Sequence, residues 1–322
     1  MIKSAPFLLA LLSLFSTGCQ RSSSCCVLPE VVEESYVHKY GLEVTPEDWA
    51  MRGQCGQVIS TLKNGVKETK TYSEGELDGE ALYTYAHRDE VEKKEVYSAG
   101  QKMKQITYYL SGAPKEEVEH VSPGIDHIKR YYEMGGIESE EEIHDGLLVQ
   151  GAYYTPTQTL ESRVDDREGI RSVRDLYGQL VAKETIEGGK LALRTTYYPN
   201  STPKEQIPYS DGNIHGQKKL YLPGGEPLAI ETWVNGRQEG VAILFANGEK
   251  VSEVPYVNGQ KHGVEKKFKD SSAVVQEISW ERGQQHGPFT SYIGSTAQTD
   301  WYFQGRPVSK LQYDRLTNPP LK

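Results

Sequence analysis

The stretch YVNGQKHGVEKKF, residues 256–268, holds two glycines four positions apart, an Asn-Gly pair and a histidine beside the second glycine. It reads either as a ligand loop, with glycines clearing space and a histidine for chemistry, or as scaffold. A catalytic loop occurs once in a chain, whereas a structural module recurs, so the spacing decides between them. The template is an aromatic at 256, Gly259, Gly263 and an aromatic at 268. It recurs at Tyr209, Gly212, Gly216 and Tyr221, at Trp233, Gly236, Gly240 and Phe245, and at Trp280, Gly283, Gly287 and Tyr292. Glycines and aromatics each make up about a tenth of the chain, so chance supplies about 0.03 such matches. Four evenly spaced copies are a repeat.

Looser copies run toward the N-terminus. Tyr72, Gly75 and Gly79 match, with Tyr83 and Tyr85 flanking the last position. Tyr97, Gly100 and Tyr109 match with Lys104 as the third element, and Thr185, Gly188 and Tyr197 match with Ala192 there. Val121 with Gly124 and Ile143 with Gly146 are weaker, and a copy near Asp165 is almost erased. Trp49 and Gly56 open the series; Tyr302, Gly305 and Ser309 close it. The array is expected over 49–309, as eleven to twelve units of about 23 residues.

Each unit carries a short β-prone segment with alternating apolar residues, as in QEISW (276–280) or SEVPY (252–256). That alternation is strand periodicity. A glycine-bearing turn, a second strand such as VEKKF or VAILF, and a second turn follow. The expected fold is therefore all-β, an elongated array of antiparallel hairpins forming a twisted meander, with no sustained helical period. Units that contact only their neighbours predict graded unfolding, with the strict copies at 205–305 resisting longest and the degenerate stretch 120–180 opening first.

The Tyr-x-x-Gly starts and the pairs His215-Gly216, His262-Gly263 and His286-Gly287 resemble MORN repeats (membrane occupation and recognition nexus). The likeness is to their longer bacterial variant, found in proteins grouped with YwqK-type antitoxins. This resemblance implies an elongated β array with a non-enzymatic, antitoxin-like interaction role.

Composition agrees with a thin, turn-rich β structure. Of 322 residues only 37% are hydrophobic, while there are 21 Tyr, 31 Gly and 16 Pro, and mean hydropathy is -0.61. Tyrosine suits half-buried positions because its hydroxyl can stay wet. The formal charge is -9, with both signs interspersed, so the chain has no electrostatic footprint for nucleic acid.

The first residues, MIKSAPFLLALLSLFSTGC, carry Lys3, an apolar run from Ala5 to Phe15, and small residues ending at Cys19. The run is too short to span a bilayer but fits a signal-peptide core over residues 1–18. The ending STGC resembles a bacterial lipobox, although Ser16 stands where that motif usually has Leu. The alternative is an ordinary secretory signal cut near Gly18. The lipobox resemblance implies lipid attachment at Cys19, palmitate included, and a lipoprotein held at the cell envelope. More than one acyl chain anchors stably. Gln20 is not the Asp that marks inner-membrane retention in that family, which favours the outer membrane. Residues 19–48 are expected to be a flexible tether and 310–322 a C-terminal tail.

No residue stands out as catalytic, cofactor-binding or metal-binding. Equivalent histidines in adjacent units would lie two strands apart, about 9–10 Å, too far to share an ion whose ligands sit about 2 Å from it. Turn-stabilising hydrogen bonds are their expected use. Vicinal Cys25 and Cys26 cannot both pair with Cys55, leaving one thiol for an intermolecular bond or acylation. The glycine pairs lack the helix and Lys-Ser/Thr ending of a phosphate loop. Asn200-Ser201-Thr202 is a glycosylation sequon only in a eukaryotic secretory setting. The expected function is a membrane-anchored scaffold for a protein partner. The alternative is an envelope protein that binds glycan or peptidoglycan along its repeated aromatics.

Overall fold

A computed structural model of the protein describes residues 30–318. Strand Val31–His38 lies antiparallel to Gly56–Leu62, and each following strand pairs antiparallel with the next as far as Arg306–Val308. The result is one long meander that does not close, since the first and last strands pair only with their chain neighbours. Every hairpin of the repeat series adds two strands.

The two edges of the sheet are built differently. Along one edge run two-residue turns such as Glu74-Gly75, Asn235-Gly236 and Asn258-Gly259, with both residues at positive φ. Such turns match the right-handed twist of paired strands, and Asn-Gly adopts them at least cost. Successive turns are stitched together. The Gly236, Gly259, Gly283 and Gly305 amides donate to the carbonyls of Ile214, Gln238, Lys261 and Gln285 at 2.8–2.9 Å. Along the opposite edge run five-residue loops, in which the first residue's amide donates to the carbonyl four positions on, as from Tyr109 to Ala113 and from Tyr132 to Gly136.

The second glycine of the template has a different task. At Gly79, Gly216, Gly263 and Gly287 φ lies between 106° and 110°. Beside each of them the strand register shifts by two residues, as from Tyr256↔Lys261 to Glu253↔Lys266. Units without that glycine, such as the one with Lys104, shift by only one. A bulge leaves unpaired residues in the ladder and strengthens local twist. The glycine is needed twice over at Gly263, because a Cβ there would also lie 3.2 Å from Pro255 Cγ.

The degenerate stretch holds a surprise. At the position of the template's first aromatic it carries Ile143, Val164 and Ile186, and Leu148, Tyr153, Val164 and Ile186 form a buried hydrophobic cluster there, with Ile143 against it. Here the hairpin Asp165–Glu168 is pinched to two residue pairs, and the turns contact one another through Arg167 N to Val149 O and Gly189 N to Arg167 O. The coil is tight enough that Arg171 reaches Glu141 at 3.0 Å across two intervening strands. The stretch expected to be weakest therefore carries the buried cluster. The unit read from the sequence as Thr185 and Gly188 is framed instead on Ile186 and Gly189, since Gly188-Gly189 is the two-residue turn.

Three expected boundaries move. The tether predicted over 19–48 does not reach that far, because Val31–His38 is a strand of the sheet. The helix Pro46–Met51, capped by Thr45, buries Trp49 between Tyr36 and Tyr72, with ring centroids 5.6 and 6.4 Å away. At the other end Ser309 is no repeat position but the N-cap of helix Lys310–Thr317, in a capping box with Gln312. Tyr313 of that helix stacks on Trp301, His286 and Phe303. A short helix with an aromatic anchor thus packs near each end of the sheet.

Candidate functional site

Strand register builds one face of the sheet rung by rung. Glu68, Tyr83, Lys93, Thr107, Glu116, Arg130, Ser139 and Tyr153 are successive partners across eight strands. Two residues along lies a second rung: Lys70, Ala81, Glu95, Gln105, Val118, Ile128, Glu141, Gly151 and Val164. The two rungs interlock through charge. Lys93 sits 3.2 Å from buried Glu95 and 3.9 Å above the Tyr83 ring. Arg130 bridges Glu116 and buried Glu141, both at 2.9 Å, and Tyr153 donates its hydroxyl to Glu141 at 2.8 Å. Burial pushes the Glu95 carboxyl up, but the hydrogen bonds from Tyr83, Lys93 and Tyr97 outweigh it and hold the group below its ordinary value.

This face curls into a cleft of about 730 Å³ along the five-residue-loop edge, where Leu62 and Leu176 line the same space. Its wall is a tyrosine ladder. Tyr85, Tyr109 and Tyr132 open successive loops, and each donates its hydroxyl one repeat onward, to the carbonyls of Tyr108, Tyr131 and Tyr154 at 2.6–2.9 Å. Tyr198 does the same to Tyr221 at 2.9 Å. The hydroxyl protons are committed to the fold; the Tyr85 and Tyr109 side chains stay half-buried and Tyr132 is buried. Burial, then the nearby Glu138, raises Tyr132 to about 12, so the phenol stays protonated. Glu138 lines the cleft with its own pKa raised, first by burial and further by Glu141, against the pull of Arg130, Arg171 and Arg174.

Of the three repeat histidines, His215 and His286 make the expected turn-stabilising hydrogen bonds, whereas the exposed His262 side chain makes no hydrogen bond among the described residues. His215, Glu239 and His286 precede the second glycine in their units. They reach the next unit's turn, through Asn235 Oδ1 at 3.4 Å, the Asn258 amide at 2.7 Å and the Gln304 amide at 3.4 Å. Among the described residues no cluster of His, Cys, Asp and Glu could hold a metal. Asn200 of the sequon donates its side-chain amide to Pro223 O at 2.8 Å, tying adjacent loops. Cys55 is a thiol that accepts from the Glu74 amide at 3.3 Å. Cys19, Cys25 and Cys26 lie outside the described residues. The cleft itself was missed in the sequence, because its lining comes from nine strands whose convergence depends on coiling. The tyrosines that open the loops, Tyr85, Tyr109 and Tyr132 at intervals of 24 and 23 residues, were the available signal.

No protein-family model and no curated protein matches the chain. Among solved structures it is similar to a porin-like protein from Bacteroides uniformis, at 9% identity over 76% of this chain and 88% of that one. The TM-score of 0.16 carries no argument about fold or function. Among the described residues no helix is long and apolar enough to cross a membrane.

Proposed function

We propose that the chain is a non-enzymatic β-repeat scaffold that binds a protein partner and is held at the cell envelope through lipid on Cys19, with the outer membrane as destination. One observation carries the scaffold reading. The repeated glycines and loop-opening tyrosines, with His215 and His286, the residues a sequence offers as chemistry, are spent on hydrogen bonds and close approaches between units. What repeats and stays free is surface, and extended surfaces of this kind are used for recognition. The MORN-like pattern of Tyr-x-x-Gly starts and His-Gly pairs supports the same role, as does its antitoxin-like variant. The glycan alternative is weakened by the ladder, because the Tyr85, Tyr109, Tyr132 and Tyr198 hydroxyl protons are already donated to backbone carbonyls, which leaves a sugar only the phenol lone pairs and the exposed parts of the rings. Affinity capture from detergent-solubilised envelope tests the proposal. A saturable protein partner is expected; recovery with peptidoglycan and no protein partner would refute it.

A further inference from the structure

Charge in the cleft is unevenly spent. Of its cations, Lys93 is held by Glu95, Arg130 by Glu116 and Glu141, and Arg174 by Glu161 at 2.8 Å, which leaves Lys115 near the Tyr109 ring at 5.9 Å. On the acidic side Glu92 and Glu138 line the cleft and Glu133 stands in the loop beside it; none of the three has a hydrogen bond or an ion pair within 4 Å among the described residues, although Arg130, Arg171 and Arg174 pull on Glu138 from further off. All three flank the tyrosine ladder. Glu92 and Glu133 act on Tyr85, and Glu133 and Glu138 on Tyr109. Unpaired carboxylates beside tyrosine ring faces make a place for a cation, since the ring quadrupole and the carboxylate attract the same charge.

Beside this cleft, and sharing Tyr132 and Leu176 with it, lies a second hollow of about 380 Å³ walled by Met134, Pro156 and Tyr177. Met134 is 99% exposed and Tyr177 94% exposed, at the tips of two loops. Single exposed apolar side chains are ordinary, but these two stand together on the wall of one hollow, which gives an apolar side chain of a partner a place to rest. The adjoining carboxylates, Glu133 next to Met134 above all, oppose an anionic lipid surface and favour a positively charged chain.

We propose, on the premise that the chain is a protein-binding scaffold, that the two hollows together take a segment of the partner that presents an arginine or lysine beside an apolar side chain. The basic group enters the Tyr85–Tyr109–Tyr132 cleft against Glu138, with Glu133 where the second hollow adjoins it, and the apolar side chain rests on Met134 and Tyr177. The cleft volume falls within the range of sites that enclose small ligands or a few side chains.

The test is calorimetric titration of the full chain with a capped Gly-Leu-Arg-Gly-Leu-Arg peptide, and with its counterpart bearing glutamate in place of arginine. The arginine peptide is expected to bind at least tenfold more tightly, and Glu133→Gln and Glu138→Gln each to weaken it threefold or more. Glu133 is exposed in a loop, so its variant keeps the fold whatever the fate of the other. Equal affinity for the two peptides, no binding at millimolar concentration, or full affinity in both glutamine variants overturns the proposal. So does binding of phosphatidylglycerol vesicles or peptidoglycan fragments that the two variants leave unchanged. A captured protein partner whose binding survives both substitutions would remove this site and leave the scaffold intact, whereas the absence of any protein partner would remove the scaffold itself.

Discussion

Replacing Gly263 by Val tests the bulge directly. Its φ of 106° is a conformation that residues with a side chain rarely adopt. A strained backbone of this kind costs about 1–3 kcal/mol. The new Cβ would also sit 3.2 Å from Pro255 Cγ and 3.5 Å from its Cβ, a rigid ring that cannot rotate away, and valine adds two further methyls. The upper end, about 3 kcal/mol, is therefore expected. His262→Ala is the contrast. The imidazole is exposed, and the amide of residue 262 keeps its bond to Pro255 O at 3.0 Å, so the change should stay within about 0.5 kcal/mol. Gly259→Asn should fall between them, at about 1 kcal/mol or less, because asparagine tolerates the left-handed region and nothing lies within 4 Å of the added Cβ. Urea unfolding followed by tryptophan fluorescence reads the order, since Trp280 pairs with Gly263 in register and donates to Glu265 at 2.9 Å. With m near 2 kcal/mol/M, the valine variant should lose about 1.5 M in midpoint. If Gly263→Val unfolds with the wild type while His262→Ala shifts the midpoint, the bulge argument is wrong and the histidine has a task the hydrogen bonds do not reveal.

Native-state hydrogen exchange should find the strands around Leu148–Ile186 the best protected, and Val164→Ala, which removes two methyls from a side chain 1% exposed, should cost about 2 kcal/mol; uniform protection along the array would contradict this. Glu138 has a raised folded pKa, so the folded state holds its proton more firmly than the unfolded chain and the group lowers stability once pH rises above both values. Glu138→Gln should therefore be neutral or stabilising at pH 7, with the gap to wild type closing as pH falls through the raised value toward the ordinary glutamate range; a gap that widens on acidification would refute the sign. Glu95 works the other way, stabilising above its ordinary pKa and losing that contribution as pH falls through its lowered folded value, so Glu95→Gln should destabilise at pH 7 and matter less in acid. Cys19→Ser should move the protein from the detergent to the aqueous phase in a partition assay, and unchanged partitioning would remove the lipid anchor.

Period, strand pattern and turn chemistry are local, and local spacing was enough to read an all-β array of hairpins from residues 209–292 outward. The two-residue turns were legible because Asn-Gly and Asp-Gly favour paired positive φ wherever they stand. Long-range placement was not. Val31–His38 looked like tether because its partner, Gly56–Leu62, is supplied by a segment beyond a helix, and strand identity depends on the partner as much as on the residues. Residues 120–180 looked weak because only the repeat motif was visible. Their aliphatic substitutions at 143, 164 and 186 make sense only once tight coiling brings those positions together. The cleft is the extreme case. Each tyrosine of the ladder was countable in the sequence, but its hydroxyl partner is a backbone carbonyl 22 or 23 residues away. The three carboxylates without partners became distinguishable only when the curl of the sheet paired off the others, because charge neutralisation is a property of distance in space and not along the chain.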